Sequence, residues 1–251
     1  ETGMGMSNES AAYKQDKNSK YSAKVGYRTV NYRSNLDINL TKSTALYFGA
    51  DGFISTKSEP GNNDTDALWA TQRNLTPITI PTIYSTGHLP AYGVDNAYSP
   101  YVMLNKTGMT NIRHYRGKAT LELKQDLSML LKGLKIRAQG AYDTETNLKE
   151  IRSIRPEMFY ASTRKYTGEL GMIQRVESEP AKYTHEDEQY YKIHFETTAT
   201  YETTVAKEHR LSALVYYYMS SEQRMNKDID DKAETLRSMY AIPTVSYTHL
   251  T

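Results

Sequence analysis

The sequence predicts an all-β fold whose antiparallel strands belong to a transmembrane β-barrel, and three observations point there. Apolar and polar residues alternate with period two over segments longer than the common globular strand. The links joining those segments are alternately short and very long. Tyrosine dominates the aromatics, with 22 Tyr against 4 Phe and 1 Trp in 251 residues. Its apolar ring and polar tip suit strands that meet lipid headgroups or line a wet lumen. A Tyr-rich soluble β-sandwich carries the same bias, so the links discriminate better than the composition.

The first hairpin joins strands over 27–40 and 44–56 through a turn at 41–43. One face carries Val30, Tyr32, Leu36, Ile38 and Leu40, then Leu46, Phe48, Ala50 and Ile54. The other carries Asn31, Arg33, Asn35 and Asp37, then Tyr47, Gly49 and Asp51. A helix would scatter these sets around its circumference, whereas a strand separates them. The second hairpin pairs 113–127 with 134–143 through a turn at 128–132. It sets Tyr115, Ala119, Leu121, Leu123, Ile136 and Ala138 against His114, Lys118, Glu122, Lys124 and Arg137. The third pairs 189–204 with 208–224, turning at 205–207, with Ile193, Phe195, Val215 and Met219 on its apolar face.

Between hairpins run links at 57–112 and 145–188, far beyond the ~4–6 residues of an ordinary loop. In a soluble domain such loops would argue against the strands. In an outer-membrane barrel they are expected, with periplasmic turns short and extracellular loops long. The polar faces, dense in Arg, Lys, Glu, Asp and Asn, fit a hydrated lumen. A soluble β-sandwich carbohydrate-binding module is the alternative, and the loop asymmetry favours the barrel.

Several classes are excluded or unsupported. The charge is +2, from 31 basic and 29 acidic residues with the signs interspersed, so no basic stripe suggests nucleic acid. Cysteine is absent, which removes disulfides, thiolate metal sites and thiol nucleophiles. No stretch approaches the ~18 apolar residues of a membrane helix, which leaves barrel strands untouched. The chain opens at Glu1 without Met or a signal peptide, as an excised segment would. Residues 245–251 read like a translated sequencing adapter. The domain expectation is therefore a partial barrel over 1–243 and a non-native tail over 244–251.

Three stretches resemble one family. The run from Asn31 to Thr44 looks like the strand–turn–strand common in SusC/RagA-type TonB-dependent transporters. Ser99-Pro-Tyr-Val-Met-Leu-Asn-Lys-Thr-Gly108 is similar to its "NPYA-L-N-x-x-G" stretch before a barrel strand. Gln125-Asp-Leu-Ser-Met-Leu-Leu-Lys-Gly-Leu-Lys-Ile136 is similar to its "QDL-x-x-I-x-KGL" turn. They occur in order across 27–143. The resemblance implies a barrel of 22 strands in the bacterial outer membrane with an N-terminal plug, absent here. It implies uptake of a nutrient, an oligosaccharide or peptide, with a SusD-like surface lipoprotein and with TonB engaged through the missing N-terminal part. No enzyme activity, cofactor or metal is implied.

Candidate sites are few. Trp69, with Tyr84, Tyr92, Tyr98 and Tyr101, lies in the first long link. Such rings stack on sugars, or pack the loop against itself. His185-Glu-Asp-Glu188 and Asn62-Asn-Asp-Thr-Asp66 hold metal-capable atoms, and a solvated loop accounts for both; the second lacks the Gly and closing Glu of an EF-hand. Asp51 and Glu122 could be imagined as a carboxylate pair, yet charged lumen residues need no chemistry. No G-x-S-x-G, P-loop or H-E-x-x-H spacing occurs, so no catalytic residue is assigned. On the barrel reading Leu36, Ile38, Leu121, Leu123, Ile136 and Val215 face lipid. Asn35, Asp37, Glu122, Lys124 and Arg137 face the lumen, where even Glu122→Arg is expected to be tolerated.

Overall fold

The computed structural model describes residues 2–10, 25–62, 64–76, 78–93, 95, 97–164, 166–205, 209–226 and 234–249. Its main element is one antiparallel sheet of eight strands: β1 (Thr2–Ser10), β2 (Gly26–Asn39), β3 (Thr44–Pro60), β4 (Gly108–Asp126), β5 (Leu134–Arg155), β8 (Glu179–Val205), β9 (His209–Asn226) and β10 (Glu234–His249). They pair in that order, with β1 and β10 at the edges. The fold is all-β. Two helices, α1 (Thr65–Asn74) and α2 (Pro100–Asn105), lie in the β3–β4 link, and a separate hairpin, β6 (Met158–Arg164) and β7 (Leu170–Val176), lies in the β5–β8 link.

All three expected hairpins form, and their strands run further than alternation alone indicates. The links expected at 57–112 and 145–188 shrink, because β3 continues to Pro60, β4 starts at Gly108, β5 continues to Arg155 and β8 starts at Glu179. Backbone pairing, such as Leu148 opposite Asp187 and Ile151 opposite Thr184, does not need an apolar face. That is why the alternation fades before the ladder does. The second link also holds the β6–β7 hairpin. β1 and β10 were not foreseen either. β10 pairs with β9 from Glu234 through His249, so residues 244–249 of the expected tail are strand. The third turn at 205–207 lies outside the described residues beyond Val205.

The register keeps the faces sorted. Leu46 stands opposite Ile38 and Leu123, and Phe48 opposite Leu36 and Leu121. Leu123 stands opposite Ala138, and Phe195 opposite Gly140 and Met219. The turns hold this register. At 41–43 the Leu40 amide donates to the Thr44 carbonyl at 3.0 Å, and the Thr44 hydroxyl donates to Gln125 Oε1 at 2.7 Å, tying the turn to β4. At 128–132 the Ser128 amide donates to Asp126 Oδ1 at 2.8 Å. Gly133 closes this turn at φ 93°, against the Glu202 carbonyl, where a Cβ would collide with backbone.

Burial in the sheet runs opposite to that of a soluble protein. The side chains buried in its body are Thr29, Ser55, Thr110, Glu122, Ala141 and Ser220, and every one lies on the polar face. The apolar face is open. Leu121 is 52% exposed while Glu122, next in sequence on the other face, is 6% exposed. Leu36, Phe48, Ile136, Phe195, Val215 and Met219 are exposed as well. Side chains crowd on the polar side and splay on the apolar side, as they do when a sheet curls toward its polar face.

The conventional core lies elsewhere. Ala91, Val102, Met158 and Val176 are buried together, with Leu89, Tyr98 and Tyr101 packed on them. They bring the first link and the β6–β7 hairpin into one lobe at the end of the sheet away from the tight turns. A bridge secures it: the Ala91 amide donates to the Phe159 carbonyl at 2.9 Å, and the Phe159 amide donates to the Leu89 carbonyl at 2.8 Å. The resemblance stretch Ser99–Gly108 is the lobe's entry into β4. Ser99 Oγ accepts from the Val102 amide at 3.3 Å and caps α2, with Pro100 in its first turn. The Thr107 hydroxyl donates to the Met103 carbonyl at 2.7 Å and accepts from the Asn62 amide at 2.8 Å. Gly108, at φ 98°, lies against the Arg152 carbonyl, a contact that excludes a side chain.

Candidate functional site

The polar face of the sheet gathers the charged groups. Strand register brings Arg33, Asp51, Lys118, Asp143, Lys192 and Glu222 into one transverse row, each opposite the next. The signs alternate across all six of these strands. Cross-strand partners of opposite charge attract, and like charges in the same places would repel. In this row Lys118 Nζ approaches Asp143 Oδ1 at 4.0 Å. One row toward the lobe stand Glu145, Tyr190 and Arg224. Glu145 Oε1 lies 2.9 Å from Nε2 of His114 in the row beyond, and the Arg224 guanidinium lies over the Tyr190 ring at 5.3 Å.

Toward the tight turns the charges condense around Glu122. Its Oε2 lies 2.6 Å from Arg137 Nη2 and its Oε1 lies 2.7 Å from Lys124 Nζ. Arg137 also donates to Gln139 Oε1 at 2.7 Å and approaches Glu196 at 3.8 Å, and Glu196 accepts from the Tyr216 hydroxyl at 3.0 Å. A carboxylate taken largely out of water needs such charged donors. Beside this network opens a hollow of about 480 Å3, lined by Lys42, Lys124, Lys135, Arg137, Thr198 and Thr200 among others. A hollow of about 410 Å3 beside Glu145, Glu188, Tyr190 and Arg224 lies nearer the lobe. The face can bind and orient polar solutes through many hydroxyl, amide and charged groups.

Sequence reasoning named Glu122, Lys124 and Arg137 as lumen residues without seeing that they form one cluster. The register signal was available, since Lys124 opposite Arg137 follows from the turn at 128–132. The expectation that Glu122→Arg is tolerated is corrected here: it would put a third cation between Lys124 and Arg137. Asp51 and Glu122 form no carboxylate pair, because Asp51 stands opposite Lys118 and Glu122 opposite Tyr47.

The aromatic candidates fall in the lobe. Trp69 is 62% exposed on α1, away from the buried cluster. Tyr84 accepts from the Ala161 amide at 3.4 Å, and Tyr92 pairs with Ala97 through backbone bonds. Tyr98 and Tyr101 pack on the lobe core. These rings do not gather around one hollow in any contact seen among the described residues.

The metal-capable clusters have other local explanations. Asp64 caps α1, accepting from the Ala67 amide at 2.9 Å, and Asn62 Oδ1 accepts from the Asp64 amide at 3.2 Å. His185 to Glu188 lies in β8 rather than in a loop, so its neighbouring side chains alternate between faces. Among the described residues no three His, Asp or Glu side chains converge as a metal-holding group. Compared with known protein-family models and with curated proteins, the chain matches none.

Proposed function

We propose that the chain is part of a SusC/RagA-type TonB-dependent transporter, its eight strands forming an arc of a barrel in the bacterial outer membrane. The observation that carries this reading is the inverted burial of the sheet. Each of the eight strands leaves at least one large apolar side chain open on the same face, from Met4 through Leu36, Phe48, Leu121, Ile136, Phe195 and Val215 to Met239, a contiguous patch of the kind that marks an interaction surface. Lipid removes its cost, and a hydrated lumen on the other side accounts for the packed charges. Two unpaired edges, β1 and β10, fit an arc completed by further strands, since spanning sheets must close. The polar buried atoms Asp143 Oδ1 and His194 Nδ1, with no hydrogen-bond partner among the described residues, would find one in lumen water.

The cargo on this reading is a nutrient, an oligosaccharide or peptide. It is received with a SusD-like lipoprotein on the long-loop side and driven through TonB contacted by the N-terminal part of the parent protein. Rows of alternating charge offer hydrogen bonds without a strong net field, which suits polar cargo. A β-sandwich would need a second sheet over the apolar face. Among the described residues the only other sheet is the two-stranded β6–β7 hairpin, which packs in the lobe.

The test is paired. In the full-length parent, Leu121→Arg puts charge on the lipid face and costs about 2–4 kcal/mol near the midplane. Heat-modifiable mobility on gels should be lost for this variant and retained for Leu121→Phe. A cysteine at Thr163 should react with an impermeant thiol reagent on whole cells, and one at Ser43 should not. Normal assembly of the Arg variant would overturn the membrane reading, and labelling at Ser43 alone would invert the topology. Disruption of the parent gene should abolish growth on the cargo.

A further inference from the structure

The two tight turns resolved in full differ in chemistry. The first is Thr41-Lys42-Ser43, polar throughout and braced by its own hydroxyls. The second holds Met129, Leu130 and Leu131, of which Met129 is 94% and Leu130 81% exposed. Nothing in the turn's hydrogen bonding needs apolar side chains. Its backbone is closed by the Leu130 and Leu131 amides donating to the Leu127 carbonyl and by the Leu134 amide donating to the Leu131 carbonyl. Gly133 and the tie to Glu202 hold its base rigid. The turn is therefore a fixed knob that displays three large apolar side chains.

Two features say what covers it. Leu121, Leu123 and Ile136 carry the sheet's exposed apolar face along β4 and β5, the two strands that this turn joins. Lys132 follows the apolar triplet directly and is exposed. The acids flanking the turn are engaged elsewhere: Asp126 by Ser128, and Glu202, whose amide bonds the Gly133 carbonyl, by Arg210 at 3.0 Å. Apolar side chains next to an exposed cation match the boundary between acyl chains and anionic headgroups. We propose that the Met129–Leu130–Leu131 knob dips into the leaflet on the short-turn side, with Lys132 against the phosphate of an anionic phospholipid. This anchor rests on the barrel reading and adds a fixed depth and tilt for the sheet, set at one turn rather than by the aromatic residues alone.

The experiment places a nitroxide at Leu130→Cys in the full-length parent, its other cysteines replaced, in nanodiscs of phosphatidylcholine with phosphatidylglycerol. Accessibility is read by power saturation with oxygen, which favours lipid, and with a water-soluble nickel chelate. Labels at Leu121→Cys and Ser43→Cys serve as lipid and water references. The anchor requires oxygen-favoured access at Leu130, shallower than at Leu121, and nickel-favoured access at Ser43. Lys132→Glu should shift Leu130 toward water in the mixed nanodiscs and much less in phosphatidylcholine alone. Nickel-favoured access at Leu130 with oxygen-favoured access at Leu121 would overturn the anchor and leave the barrel standing. Nickel-favoured access at both would overturn the barrel reading itself. Shielding of Leu130 from both agents would mean that a protein covers the knob, which also overturns a lipid occupant.

Discussion

The great sheet and the loop lobe bury opposite kinds of residue. In the sheet the hidden side chains are Thr29, Ser55, Glu122 and Ser220, and the open ones are Leu36, Leu121 and Val215. In the lobe Val102 and Met158 are hidden, and the large apolar side chains left open, such as Trp69, Ile78 and Ile173, are scattered rather than set on one face. One chain thus obeys two rules, and the difference lies in what each part touches. Water alone accounts for the buried apolar cluster of the lobe. On the barrel reading proposed above, lipid outside and water inside account for the sheet. Their junction is the Ser99–Gly108 stretch, where buried Thr107 ties Asn62, Met103 and Ile154 together.

The largest expected effect comes from forcing the sheet's buried polar face. Glu122→Arg leaves Lys124 and Arg137 facing a third cation and puts a charge where Glu122 is almost wholly covered. Because both cations are half-exposed, the cost falls short of that of a fully buried pair. In the full-length parent in detergent the urea midpoint should fall steeply, while Glu122→Gln should fall much less. Equal midpoints would mean that Glu122 is solvated and the inside-out description is wrong.

The lobe should answer to the ordinary rule. Met158→Ala empties part of its core and should cost about 2–5 kcal/mol, confined to the lobe. Limited proteolysis of whole cells should then cut near 156–178 with heat-modifiable mobility intact. Loss of that mobility shift as well would show that the lobe and the sheet fold as one unit.

A smaller effect tests the junction. Ser99→Ala removes the α2 cap at a cost of about 0.5–2 kcal/mol, so hydrogen exchange at Val102 should rise while β4 amides stay protected. Exchange rising along β4 instead would make the cap part of the sheet's stability.

The smallest effect concerns the alternating row. Lys118 and Asp143 are partly exposed and 4.0 Å apart, so a double-mutant cycle to Ala should give a coupling of about 0.2–1 kcal/mol. Exchanging them, Lys118→Asp with Asp143→Lys, should cost more than the cycle. Each residue would then face a like charge on its other side, Asp51 or Lys192. An exchange without cost would mean that the row plays no part in register.

Much of the sheet was legible in the sequence because strand geometry is local. Once Leu121 and Glu122 alternate along a strand, they must point to opposite faces whatever lies around them, and short links such as 41–43 leave only antiparallel partners. The three hairpins and the sorting of their faces followed from that alone. The parts that did not follow depend on residues far apart in sequence. β5 and β8 extend through polar stretches because two backbones meet, and β6–β7 becomes visible only when Met158 and Val176 find Ala91 and Val102. Likewise Arg33 and Glu222 belong to one row only after five pairings have set the register, and the same pairings gather the cations around Glu122. Alternation along the chain determined which face each side chain takes. Tertiary pairing decided which side chains meet there, because contact energies depend on register across strands and no single strand carries that information.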